Sequence, residues 1–330
     1  MQAKRLFKVG AIVTGLVAVA AIASYAAFVP RVKGPGHEFV GAWGSQGSEP
    51  GQFDDPTGVA VTADEVFVAD ARNGRIQVFD HEGQFKREFG TPGDAPGELG
   101  RPMNLTIHEE KLYVPEYMND RLQVFNLAGE PLDIIGGPGE GPGEFDAPGG
   151  VAVAASGDLF VADFYNQRVQ QLGANGEFIR QWGTTGETGR GAGEFTYPTD
   201  VALATDETLY VADGYGNRVQ VFDADGEFLR KWGGPFAIGL YGPFNGWLTT
   251  VTGIAIGPEG RVLSADFYND RVQVFTAEGK FLNTFGETGD GPGQFHHAIA
   301  LDVAPDGTVF VADFQNNRIE KWRPVDDRVK

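Results

Sequence analysis

An acid followed three residues later by Asn and five later by Arg could bind a metal, pair charges or relay a proton. The 330-residue chain writes this set six times. The copies are Asp70/Asn73/Arg75, Glu116/Asn119/Arg121, Asp163/Asn166/Arg168, Asp213/Asn217/Arg218, Asp266/Asn269/Arg271 and Asp313/Asn316/Arg318. The fourth is irregular: Gly216 takes the Asn place and Asn217 follows one position late. A reaction centre needs one such set, whereas an element in every copy serves what the copies share. An acid and an Arg pair charge beside a turn, and Asn satisfies turn backbone groups, so the sets are expected to be structural. Glu116 after Pro115 replaces the usual Ala-Asp, a change a structural pair tolerates.

Repetition at roughly 50 residues is the mark of a propeller or solenoid. Turn residues divide each repeat into four short strands. In the third these are 149–154, 159–163, 168–172 and 178–183, separated by Ser156-Gly157, Tyr165-Asn166 and Asn175-Gly176. Period-two runs such as Arg218-Val219-Gln220-Val221-Phe222 suit sheets that pack face to face. The last repeat has no room for a fourth strand after Trp322, while Phe39–Gly44 near the other end reads like Phe281–Gly286. The expected fold is all-β: a six-bladed propeller of four-stranded antiparallel blades, its last blade closed by the N-terminal strand, after one N-terminal transmembrane helix.

The run Pro142-Gly143-Glu144-Phe145, then Pro148, an apolar strand, Val161-Ala162-Asp163, Asn166, Arg168 and a strand ending at Leu172 resembles the NHL repeat. Leu172 stands where that repeat usually has Phe. The resemblance extends over most of the chain and implies a six-bladed NHL propeller. It implies little about activity, because such folds serve as scaffolds, RNA binders and lyases, so function has to be argued from sites.

Charge and composition narrow the classes. The chain carries 26 basic and 45 acidic side chains; the five basic residues before His37 leave 21 against 45 for the rest. Such a surface repels phosphate backbones, and no nucleic-acid partner is expected. There is no Cys, which removes disulfides and thiolate chemistry. No Gly-rich loop ends in Lys-Ser/Thr, and no Ser sits in a strand-to-helix elbow. Residues 1–8 are a basic leader with Lys4, Arg5 and Lys8, and Val9–Val29 carries no charge. In a helix it would span roughly 30 Å, enough to cross a bilayer. The expected organisation is a cytoplasmic leader, a membrane helix at 9–29, a linker at 30–38, the propeller at 39–323 and a tail at 324–330. The bias of positive charge toward the start places the propeller in the periplasm or outside the cell. The alternative is a signal peptide cleaved near Ala21-Ile22-Ala23, giving a secreted protein.

Function is expected where the copies disagree. The second position after the acid reads Arg72, Met118, Tyr165, Tyr215, Tyr268 and Gln315, a partial aromatic arc on the face that carries the second-to-third strand turns and the blade-to-blade loops. The loop between blades four and five departs furthest, with Phe236, Ile238, Leu240, Tyr241, Phe244, Trp247 and Leu248. An insertion that apolar packs on the propeller or meets a partner protein, a ligand or lipid. His296-His297 is the remaining departure. With Asp55 or Asp146 it is the candidate for Ca or Zn, although a vicinal pair alone suits a packed or solvated loop and no cofactor is expected. The strand directions put the linker on the opposite face, with the insertion pointing outward. The reading is a membrane-tethered interaction module, an accessory subunit of a larger membrane complex, more a binder than an enzyme. The competing class is a metal-dependent lyase or hydrolase acting at the top of the central channel.

Overall fold

A computed structural model describes residues 28–325, so all but the last two residues of the 9–29 segment, and the tail beyond 325, lie outside it. Among the described residues no helix is long and apolar enough to cross a membrane. Six four-stranded antiparallel sheets form the blades. Blade three comprises Pro148–Val153, Leu159–Asp163, Arg168–Leu172 and Phe178–Trp182, from the inner strand outward. In blade six the inner strands Ala298–Val303, Val309–Asp313 and Arg318–Pro324 are completed by His37–Trp43. That strand pairs Phe39 with Trp322 and Trp43 with Ile319, with a bulge between Phe39 and Gly41.

The core lies between blades rather than inside them. A strand such as Arg75–Phe79 alternates its side chains, and every one is buried because both faces of the blade are covered. At the closing junction Phe53, Val66 and Phe79 of blade one meet Phe310, Ala312 and Ile319 of blade six, with Trp43 packed against them. The Phe of each Pro-Gly-Glu-Phe-type turn is driven into such a junction. Phe295 is fully buried where Gly286, at φ 85°, leaves the space that any Cβ would take from its ring. Truncating a buried Phe of this kind costs about 3–5 kcal/mol.

The acid/Asn/Arg sets tie each blade to the loop that enters it. Asp163 accepts from the Asp146 amide (2.8 Å), Asn166 Nδ2 (3.0 Å), Arg168 Nε (2.8 Å) and Gln170 Nε2 (3.1 Å). The Arg168 Nη atoms donate to the carbonyls of Glu140, Gly141 and Glu144. The irregular fourth set corrects the sequence reading. Asn217 is not a displaced partner of Asp213; its Nδ2 donates to the Tyr215 and Gly239 carbonyls. Gly216 occupies the Asn place, and a Cβ there would overlap the Asp213 carboxylate.

Asn217 instead belongs to a second ring of contacts. The residue before the Arg has positive φ, and in Asp120, Gln167, Asn217, Asp270 and Asn317 its side-chain oxygen accepts the amide of Ala147, Tyr197, Thr250, His297 and Asp55 on the next blade. These bonds, 2.7–3.0 Å long, clasp five of the six junctions. At the remaining one stands Gly74, where a Cβ would come within 2.8 Å of the Pro92 Cα.

Candidate functional site

The turns that follow the acids bring rings to one mouth of the central channel. Tyr117, Phe164, Tyr215, Phe267 and Tyr268, from blades two to five, line a cavity of about 210 Å³. Phe164 and Tyr215 meet edge to face at 6.4 Å, and Phe267 and Tyr268 at 4.9 Å. Tyr117 donates to the Tyr165 hydroxyl at 2.7 Å, and burial together with that bond pushes its phenol well above the ordinary tyrosine value. Three of the four threonine hydroxyls lining the cavity are already committed as donors. Thr57 donates to the Pro102 carbonyl, Thr199 to Val251 and Thr252 to Ala298. The mouth offers aromatic faces and the Tyr215 and Tyr268 hydroxyls, and its ring faces suit apolar or cationic groups. Beside it, burial and the nearby Asp120 and Glu140 raise the Asp146 carboxyl, leaving a patch of like charge.

Asn104 forms the floor and also lines a second cavity of about 250 Å³ below, which holds Asp200 and Asp302. The Asn104 amide donates to the Thr252 carbonyl across the channel and bonds Asp200. Asp200 Oδ2 accepts the Ile254 amide, and Asp302 Oδ2 the Val61 amide. Burial pushes Asp200 up to about 8 and Asp302 up to about 6.

Of the residues singled out by sequence, Tyr215 and Tyr268 line the mouth, Tyr165 backs Tyr117, and Met118 projects at 66% exposure near Arg72 and Arg101. Tyr117, Phe164 and Phe267 come from the first position after the acid, one before the position that the sequence reading compared. Asn104 and Asp200 stand where other inner strands have Gly58, Gly150, Gly253 and Ala300, a signal present in the alignment of copies. His297 stacks on Phe267 at 4.3 Å and its Nδ1 lies 3.1 Å from Asp270 Oδ1; His296 packs against it at 4.9 Å. Asp55 pairs with Arg72, while Asp146 belongs to the loop entering blade three. These four residues are not brought together, and no group of three or more His, Cys, Asp or Glu suited to a metal occurs among the described residues.

The insertion is pinned at its base. Leu248 is fully buried, and Trp247 stacks edge to face with Phe244 at 5.1 Å. The linker does not leave freely from the opposite face, as strand direction alone implies. It lies along the outer strand Phe281–Phe285 of blade five, where Lys33 and Gly34 donate to the Leu282 carbonyl and Asn283 donates to that of Pro35. From there it reaches the insertion: Trp247 Nε1 donates to the Phe28 carbonyl at 2.6 Å and Asn245 Nδ2 to Pro30 at 3.2 Å. Phe236, Ile238, Leu240 and Tyr241 remain exposed around this contact.

Residues 53–79, 145–172 and 195–222 match the family model described as NHL repeat, so the chain carries NHL repeats within a six-bladed propeller. A 48-residue stretch is 52% identical to Protein brain tumor of Drosophila melanogaster; it covers 14% of this chain and 5% of that protein. A protein of unknown function from Bacteroides thetaiotaomicron superposes with a TM-score of 0.67 at 15% identity, over 87% of this chain and 75% of that one. Virginiamycin B lyase from Staphylococcus aureus superposes at 0.56 and 15% identity, over 88% of this chain and 100% of that one. At such identities these two likenesses concern the fold.

Proposed function

We propose that the protein is a non-catalytic binding module, tethered to a membrane by the apolar segment at 9–29 with its propeller in the periplasm or outside the cell. It docks a partner protein at the channel mouth and serves as an accessory subunit of a membrane complex. The convergence of five rings from four blades on one cavity carries the reading. Rigid aromatic side chains on a preorganised frame are the usual anchors of protein interfaces, because they bury large areas at little entropic cost. At about 210 Å³ the cavity is smaller than the roughly 300 Å³ where drug-sized sites begin, so it fits one apolar or basic side chain of a partner. The carboxylate patch at Asp146, Asp120 and Glu140 favours a basic one. Asp200 and Asn104 are the polar groups that a lyase or hydrolase at this channel would recruit, and they support that second reading only if a substrate is found.

A photo-crosslinking residue at Tyr215 or Tyr268 of the full chain in native membranes is expected to capture one discrete protein. The same residue at Leu132, exposed on the outer strand of blade two, is expected not to capture it. Equal capture at all three positions, or none, overturns the mouth as the dock. A Tyr215→Asp substitution is expected to weaken the captured complex at least about 10-fold.

A further inference from the structure

We propose that the blade-five insertion is a membrane-contact surface whose exposed side chains lie in the headgroup and acyl boundary of the bilayer. This rests on the tethering reading above and adds which side of the ring meets the lipid. Phe236 is 75% exposed and Tyr241 68%, with Leu240 and Ile238 at 46% and 41%. An apolar loop of this size left open on a propeller needs a cover.

The covering surface is indicated by where the rest of the chain departs. The uncharged run Val9–Val29 ends inside the insertion's own contacts: the Phe28 ring lies 5.4 Å from that of Phe236, and Trp247 holds the Phe28 carbonyl. A run that enters a bilayer next to Phe28 brings Phe236 and its neighbours to the interface, where aromatic and aliphatic side chains of peripheral loops embed.

Charge points the same way. In a chain with 45 acidic residues, no Asp or Glu occurs at 1–37 or at 228–258. The fold joins these two stretches: Asn245 bonds Pro30, and a Cβ on Gly246 would lie 3.0 Å from the Pro30 ring. The charges within them are basic. Arg31 and Lys33 follow the run, and Lys231, with Glu194 nearby, donates to the Arg190 carbonyl beside Gly239. An apolar rim built from stretches whose own charges are all basic matches an anionic bilayer, whereas the acidic remainder of the surface would be repelled by one.

The absence of Cys allows clean single-site labelling. Full-length Tyr241→Cys and Leu132→Cys proteins would each carry an environment-sensitive fluorophore and be floated with vesicles of phosphatidylcholine and phosphatidylglycerol. A neutral aqueous quencher is expected to reach the label at 241 roughly five-fold less well than that at 132. Dilution with excess lipid should not change this protection. Equal quenching in floated protein overturns the contact surface while the tether stands. Protein that fails to float overturns the tether and the inference with it. Protection that disappears on dilution assigns the patch to a second copy of the chain and overturns the proposal.

Discussion

Two residues past the Arg, five blades place a buried Gln and the sixth places Glu320. Gln170 shows what the position does: its Nε2 donates to Asp163 at 3.1 Å and to the Glu144 carbonyl, while its Oε1 accepts the Gly143 amide. Glu320, whose side chain has no exposed surface, has no amide hydrogens to give to Asp313. One oxygen lies 2.8 Å from Arg318 Nη2 and the other accepts from Trp322 Nε1 at 3.1 Å. Burial, opposed by Arg318 and helped by Asp313, pushes the carboxyl from 4.5 up to about 8. The facing strand His37–Trp43 sets uncharged Ala42 opposite it and keeps Glu38 near its far end, by Arg323.

The folded state thus holds a proton that the unfolded chain releases. This contribution to stability is complete below pH 4.5, declines as pH rises toward 8 and is gone above it. At about 1.36 kcal/mol per unit, the loss is at most about 5 kcal/mol by pH 9, and about 2–3 kcal/mol by pH 7 after local relaxation. Glu320→Gln, which restores the pattern of the other blades, is expected to match the parent within about 1 kcal/mol at pH 5 and exceed it by about 2–4 kcal/mol at pH 8. Urea unfolding of both proteins at pH 5, 7 and 9, followed by Trp fluorescence, measures the difference. A gap that stays constant with pH, or widens toward acid, refutes the reasoning.

Deleting 37–43 removes Phe39 from Trp322 and Trp43 from Phe310, and bares a strand edge in blade six; a loss of at least about 5 kcal/mol is expected, and unchanged melting would rule out the closure. Arg218→Ala strands the buried Asp213, whose carboxyl burial already raises to about 6, and should cost about 3–5 kcal/mol in denaturant unfolding. Adding Asp213→Asn to that variant should recover part of the loss, and an equal or greater cost in the double variant would count against a stranded charge. Asn217→Gly keeps the positive φ but removes the clasp to Thr250, and is expected to cost about 1–2 kcal/mol by the same measurement.

The repeat made the blades and their closure legible, because period, turn residues and the orphan strand at Phe39–Gly44 all follow from local chemistry. The structural role of Asp163 and Arg168 was legible for the same reason. The clasp ring was not: Asp120, Gln167, Asn217, Asp270 and Asn317 share a backbone conformation and a carbonyl oxygen, not a residue type. The mouth was half legible. Comparing the second position after the acid found Tyr215 and Tyr268, but Phe164 and Phe267 sit one residue earlier, and a shift of one along the turn changes which rings reach the channel. The course of the linker was illegible, since it depends on Asn245, Trp247 and Asn283 meeting carbonyls more than two hundred residues away in sequence.

Closure of blade six by the first strand also fixes an order of events during synthesis. His37–Trp43 emerges before any blade is complete, yet its hydrogen-bonding partners at 318–324 are made only after the other five blades. Blades one to five can stack as they appear, but the ring stays open, its N-terminal strand unpaired, until residues 318–324 are made. A chain stopped short of Trp322 would hold five finished blades and an unsealed seam, the form most readily recognised by chaperones and proteases.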